Sequence, residues 1–380
     1  MKTKLLYLVT EESYFCSHRL QLACAALRQG FEVVVVTHLD KKSKKLTELG
    51  FKVIPVAFSR KGGNLFREIS LIIKLIKIYR QEKPDIVQHI ALQPIIYGSI
   101  AAFLAGRRKV VNTLAGLGFV FISPTKKAYL LRAIFKKIFR WFFNLSHYRV
   151  IVQNPDDLQL LLNLGVRQKN IKLIYGSGVD LQKFVVTPEP ATIPTFTLVS
   201  RMLWHKGIYE FVEAARYLQE LNIKFSANLV GDVDYGNPAA IPPAEVQNWH
   251  AKKEINWLGQ QDDIVKIWQQ SHIAVLPSYR EGLPKALLEA AACGKPIITT
   301  DVPGCREVVQ HGRNGYLVPA KDSKALATAM QKLLVNPELR NKMGQESRKM
   351  AAEKFSLEYV IRETLAVYTQ LVGARRARGF

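Results

Sequence analysis

The run Phe31-Glu32-Val33-Val34-Val35-Val36-Thr37 constrains the fold more than any other stretch of the chain. Four valines in succession leave no polar face, so this strand must be covered on both sides, as in a parallel sheet flanked by helices. Its neighbours fit that reading. Leu5 to Thr10 is another short apolar run. After a polar loop from Glu11 to His18, Arg19 to Gln29 has helical periodicity and stops at Gly30. Strand, helix, strand is the opening of a doubly wound sheet. The alternation continues with a helix Lys44–Leu49, a strand Lys52–Val56 and an amphipathic helix Leu65–Glu82 ended by Pro84. Next come a strand Ile86–Ile90, a small-residue helix Tyr97–Ala105, and a strand Lys109–Thr113 that leads into the glycine loop Ala115–Gly118. Strands Arg149–Val152 and Ile171–Ile174 flank a helix that Asn154 can cap.

Val186 to Pro194 holds three prolines and no period, which marks a domain junction. Beyond it the same grammar restarts. Strands are predicted at Phe196–Ser200, Phe225–Val230, Ile255–Gly259, Ile273–Leu276, Pro296–Thr300 and Gly315–Val318. Helices fall at Ile208–Leu221, after Asp262 as a cap, and from Ser323, Pro337 and Leu357. A chain of 380 residues is long enough for two cores. The expectation is an α/β protein with two Rossmann-like domains facing across a cleft, residues 1–185 and 186–356, followed by a last helix in 357–380.

Composition narrows the setting. Cys16, Cys24, Cys293 and Cys305 form no CxxC pair, so they read as thiols in a reducing compartment. The apolar N-terminal run meets acidic residues at once and reads as a strand, not a signal peptide. No run of 18 apolar residues exists. The net charge of +23 is lopsided: residues 1–185 hold 30 basic and 11 acidic side chains, residues 186–380 hold 24 and 20. No acidic residue occurs from Ile86 to Pro155. An anionic surface, membrane or nucleic acid, is the implied partner. Within that span Lys126 to Tyr148 reads as one helix. Lys126, Lys127, Arg132, Lys136, Lys137 and Arg140 are its basic residues, and its apolar side includes Phe135, Trp141 and Phe142. That is the pattern of an interfacial helix, and equally of a helix packed on its own sheet.

Ser278 to Pro303 carries the chemistry. Glu281 precedes Gly282-Leu283-Pro284, and Pro284 suits the first position of a helix on which Glu289 lies roughly 7.5 Å along the axis. Free N–H groups at that helix start form an anion site between two carboxylates. A hydroxyl–diphosphate–hydroxyl ligand suits this spacing; so does a surface helix with two solvated glutamates. Arg201 and Lys206, in a strand-to-helix loop, would supply the cations that a diphosphate needs. Asp232-Val233-Asp234 lacks a further ligand cluster and reads as loop, and the scattered histidines show no metal spacing.

Arg201…Lys206-Gly207, PSYREGLPKALLEAAACGKPIITTDVPG and GRNGYLVP together resemble the retaining family-4 glycosyltransferases of GT-B fold. NTLAGLGFVF, QNPDD and YGSGVD are similar to the subgroup that builds bacterial surface polysaccharides and lipid-linked oligosaccharides. The resemblance covers nearly the whole chain. It implies that Glu289 holds the donor ribose, that Glu281 faces the transferred sugar, and that the diphosphate lies on Arg201, Lys206 and the backbone of Gly282, Leu283 and Pro284. Leu258 and Gly259 would line the donor site, and the final helix would cross back onto the first domain. The sequence departs from the family twice. Glu11 to His18 stands where many members have a Gly-Gly pair, and Ala115 where many have a histidine. His18, His89, Asn112, Thr113, Gly116 and Gly118 are therefore the candidates for the acceptor and sugar side.

The expected activity is transfer of a hexose or N-acetylhexosamine from a UDP-linked donor to a polyprenyl-diphosphate-linked saccharide. It would proceed without a metal or other cofactor, at the inner face of the cell membrane, with the protein in the cytoplasm and peripherally bound. A soluble transferase with a small sugar or sugar-phosphate acceptor is the alternative enzyme. A basic nucleic-acid-binding protein is the alternative of another class, although no recognisable nucleic-acid module is present.

Overall fold

A computed structural model describes residues 2–39, 43–58, 65–116 and 136–373. The chain forms two compact units, Met1–Ser177 with Val360–Phe380, and Gly178–Tyr359. The division thus falls at Ser177, ahead of the proline-rich stretch in which the sequence suggested a junction.

The first unit is built on seven parallel strands: β1 (Lys4–Glu11), β2 (Glu32–His38), β3 (Lys52–Pro55), β4 (Ile86–Ile90), β5 (Val110–Thr113), β6 (Tyr148–Val152) and β7 (Ile171–Leu173). Their order is β3-β2-β1-β4-β5-β6-β7, which reverses direction between β1 and β4. Val33 to Val36 are all buried, as their unbroken apolar run required. Helices α1 (Glu12–His18), α2 (Leu20–Arg28), α3 (Ser43–Glu48), α4 (Leu65–Glu82) and α5 (Leu92–Leu104) come before β5. Residues 136–143 (α6) are helical, and α7 (Pro155–Asn163) is capped by Asn154, whose Oδ1 accepts from the Asp157 N–H at 2.7 Å.

The polar stretch expected to be a loop is α1. Its Phe15 is fully buried and meets Tyr7 and Phe51 edge-on at ring separations of 5.6 and 6.2 Å, so tertiary packing holds a helix too short to stand alone. The segment after Tyr359 belongs with this unit. Tyr368 of α14 (Leu357–Gly373) is fully buried there and donates to Gln88 Oε1, with its hydroxyl 3.2 Å from that of Tyr7.

The second unit carries six parallel strands: β8 (Thr195–Val199), β9 (Ser226–Val230), β10 (Asn256–Trp257), β11 (Ile273–Leu276), β12 (Ile297–Thr300) and β13 (Gly315–Val318). Their order is β10-β9-β8-β11-β12-β13, again doubly wound. The helices α8 (Ile208–Glu220), α9 (Pro243–Ala251), α10 (Ile264–Gln269), α11 (Lys285–Ala292), α12 (Ser323–Leu334) and α13 (Pro337–Lys354) cover it. Asp263, not Asp262, caps α10, because its carboxylate is the one that reaches the Lys266 N–H at 3.1 Å. Among the described residues no helix is long and apolar enough to cross a membrane.

Candidate active site

Open α/β sheets take ligands at the carboxyl ends of their strands, where the strand order reverses. In the second unit that point lies between β8 and β11, and the loops leaving these strands carry Arg201–Lys206 and Ser278–Glu281. Gly207, at φ +72°, lets the first loop press on the second: a Cβ there would stand 2.0 Å from the Pro277 carbonyl oxygen. That close passage delivers Lys206 to Glu281. Lys206 Nζ donates to Glu281 Oε1 at 2.5 Å, with the two side chains 16% and 13% exposed. Ser278 Oγ lies 2.7 Å from the same oxygen and 3.0 Å from the His205 carbonyl, so its single hydrogen serves one of them at a time. Both contacts fall on Oε1; Oε2 accepts no hydrogen bond from the described residues.

Arg201 is held by the Asp-Val-Asp loop. Its guanidinium donates to Asp234 Oδ2 at 2.7 Å, and the side chain is 60% exposed. Asn237 Nδ2 reaches the same Asp234 oxygen at 2.9 Å, and Asp232 Oδ1 accepts the Val233 N–H at 2.7 Å. The Asp-Val-Asp loop therefore aims an arginine. Among the described residues no three His, Cys, Asp or Glu side chains gather as metal ligands.

Helix α11 begins at Lys285, one residue later than the sequence suggested, with Pro284 as its N-cap at φ −73°. Among the described residues no side chain caps it, so its first turn offers backbone N–H groups to an anion. Glu289, 6% exposed, is ion-paired with Lys285 one turn back. The side chains of Leu283 and Pro284 are turned into the protein, leaving only backbone to meet a ligand. Leu258 and Gly259 stand just beyond β10, where the Gly259 carbonyl accepts the Gly231 N–H at 2.8 Å. Burial, followed by the neighbouring Lys206 charge, pushes the His205 pKa below its ordinary value. From the sequence, Ser278 and Lys285 had no role of their own and Asp234 was only part of a loop. Only Lys285 left a signal, its i,i+4 spacing from Glu289.

In the first unit three acceptor-side candidates prove to be core. His89 is fully buried, with Nδ1 2.8 Å from Asn112 Oδ1 and Nε2 3.1 Å from the Tyr79 hydroxyl. Gly98 of α5 lies against its ring, where a Cβ would come within 2.5 Å. Asn112 is committed to His89 by the same bond, and Thr113 Oγ1 accepts Gln88 Nε2 at 2.8 Å on the other face of the sheet. His18 stays half-buried at the end of α1, stacked on Tyr14 at 4.2 Å. Gly116 has φ +112°, while Gly118 lies outside the described residues. Nearer the switch point the sequence missed Ala91, held at φ 76° and ψ 164° where β4 ends, a conformation that costs an L-residue about 1–3 kcal/mol.

Burial lowers the His89 pKa to about 4 from an ordinary 6.5. Between those values the unfolded chain binds a proton that the folded chain refuses. Stability is therefore full above pH 6.5 and falls as pH drops toward 4, by on the order of 2–3 kcal/mol from this group. His205 and His272 are lowered too, chiefly by burial, and act with the same sign. Urea midpoints measured from pH 7.5 to 4.5 should decline, and His89→Gln should flatten the decline.

The expected interfacial helix is only partly described: Lys126, Lys127, Arg132 and Phe135 lie outside the described residues. Phe142 is corrected to a core residue, buried and stacked on Tyr148. Phe139, Phe142 and Phe143 form the inward face of α6, so Trp141 is left 51% exposed, edge-on to Phe103 at 5.0 Å. Lys136, Lys137 and Arg140 are exposed beside it.

Residues 181–350 match the family described as Glycosyl transferases group 1, and residues 4–154 that described as Glycosyl transferase 4-like. The N,N'-diacetylbacillosaminyl-diphospho-undecaprenol alpha-1,3-N-acetylgalactosaminyltransferase of Campylobacter jejuni is 30% identical over 354 residues, 90% of this chain and 92% of its own. The UDP-Gal:alpha-D-GlcNAc-diphosphoundecaprenol alpha-1,3-galactosyltransferase of Escherichia coli is 28% identical over 326 residues, 81% of each chain. Anabaena HepE, solved with UDP and glucose, matches with a TM-score of 0.78 at 19% identity, covering 97% of this chain and 99% of its own, a likeness of fold. Two doubly wound parallel sheets of this kind are the GT-B architecture. The chain belongs to the GT-B glycosyltransferases of the group 1, family-4-like branch. It is a sugar-transferring enzyme.

Proposed function

We propose that this glycosyltransferase moves a hexose or N-acetylhexosamine from a UDP-linked donor to a saccharide carried on polyprenyl diphosphate, with retention at the anomeric carbon. The observation that supports this best is the Lys206–Glu281 pair beside the uncapped start of α11. A donor diphosphate set there meets helix N–H groups and the Lys206 and Arg201 cations, which offset its charge as it leaves. Glu289 accepts hydrogen bonds from the ribose hydroxyls, and Glu281 Oε2 faces the transferred sugar. The departing phosphate takes the acceptor proton on the same face, which gives retention. Lys206 and Arg201 take the charge-balancing role on this reading, so turnover in excess EDTA should equal that without it. The C. jejuni and E. coli relatives, whose names specify diphospho-undecaprenol-linked substrates, support the acceptor class.

The basic first unit docks on anionic lipid through Trp141 and Phe103, with Lys136, Lys137 and Arg140 around them. Each basic residue near such a surface contributes about 1 kcal/mol. Changing Lys136, Lys137 and Arg140 to glutamine should therefore reduce liposome partitioning about 100-fold at low salt, and added salt should do the same to the wild type. Unchanged pelleting of the triple variant would remove this part of the reading.

The reaction is tested by incubating the enzyme with a nucleotide-sugar panel and a synthetic polyprenyl-diphosphate-linked sugar, followed by mass spectrometry. One added hexose or N-acetylhexosamine, with its anomeric configuration kept by NMR, is expected. Transfer only to free sugars, without lipid, would point instead to a soluble small-acceptor enzyme.

A further inference from the structure

At the amino ends of the second unit's strands, where β11 and β12 begin, His272 and Lys295 line a cavity of about 330 Å³ together with Thr187, Glu189, Arg340 and Gln345. Lys295 is 4% exposed, yet its ammonium has neither a hydrogen bond nor an ion pair among the described residues. A lysine just past a helix ordinarily answers the last carbonyls. Those of α11 are already taken. Cys293, Gly294 and Lys295 backbone N–H groups reach Glu289, Ala291 and Ala290, and Arg348 Nη1 reaches Ala292 at 2.8 Å.

The carboxylate in the cavity wall is engaged on one oxygen. Glu189 Oε1 accepts from Arg340 Nε at 2.5 Å, with His272 Nε2 at 3.9 Å. His272 Nδ1 accepts the Thr195 N–H at 3.1 Å, and burial keeps the ring neutral by lowering its pKa. Thr187 Oγ1, in the same wall, is buried without a partner among the described residues. Lys295 and Arg340 against Glu189 leave one positive charge in excess. The Lys295 side chain is buried along its length while its ammonium is reached from the cavity, so an anion that enters meets a positive charge with no hydrogen-bonded partner among the described residues.

We propose that this cavity is an anion-binding site, separate from the Glu281 group, that takes the phosphoryl group of a small phosphorylated compound. Lys295 supplies the charge and Thr187 a hydroxyl hydrogen bond. Calorimetric titration with inorganic phosphate tests it in the full-length protein, in two settings that keep phosphate off the Glu281 group: wild type with excess UDP, and Lys206→Ala. Saturable binding of one phosphate per chain is expected in both. Lys295→Gln and Thr187→Val should each weaken it at least tenfold, as loss of a bond to a charged group implies. Both variants should keep turnover within about twofold of wild type. Thr187→Val, at a less buried position, carries the test should Lys295→Gln fail to fold. Phosphate binding unchanged in the variants, or absent in both settings, would overturn the proposal.

Discussion

Lys206→Ala is expected to lower kcat by about 10²–10³-fold, the usual loss when one group that stabilises developing charge is removed. The loss has two sources. On the proposed reading Lys206 gives the diphosphate a cation, and it also neutralises Glu281, which is only 13% exposed. Without the lysine, an unpaired and largely buried carboxylate stands beside an anionic donor. Glu281→Gln separates the two sources. In the Lys206→Ala background it should restore part of kcat by removing the repulsion, and none if only the lysine charge matters. Steady-state rates at saturating donor give the comparison. A Lys206→Ala enzyme within threefold of wild-type kcat would mean that the pair is structural.

The second large effect is on donor binding. Glu289→Ala should raise the donor KM by about 10- to 100-fold, because each hydrogen bond to a charged acceptor contributes about 1.5–3 kcal/mol. The kcat should change much less, since ribose contacts are made equally in the ground and transition states. Lys285→Met is the control. It leaves Glu289 in place but unpaired, so a KM close to wild type would show that the carboxylate acts directly rather than through its ion pair.

Much of the fold was legible because its strands are buried on both faces, so runs such as Val33–Val36 and Ile297–Thr300 declare themselves without their partners. What escaped depended on contacts distant in sequence. Helix α1 is held by Phe15 on Tyr7 and Phe51, and no local pattern announces that. His89 was a candidate for the sugar side because Ala115 stands where many family members have a histidine. Two polar residues inside the central strand Ile86–Ile90 must each face a helix layer, and that was the available signal for a core role. The carboxylates of the candidate site were visible as spacing in Ser278–Pro303. Their partners were visible only in part. Lys285 lies one turn from Glu289, whereas the Arg201–Asp234 pair joins two loops 33 residues apart.

UDP titration by calorimetry into wild type, Lys206→Ala and Glu289→Ala tests the donor site most directly, since it needs no acceptor and no knowledge of the sugar. Saturable binding to wild type, weakened at least tenfold in Glu289→Ala and weakened also in Lys206→Ala, is the predicted result. UDP binding with one common affinity in all three proteins would contradict it.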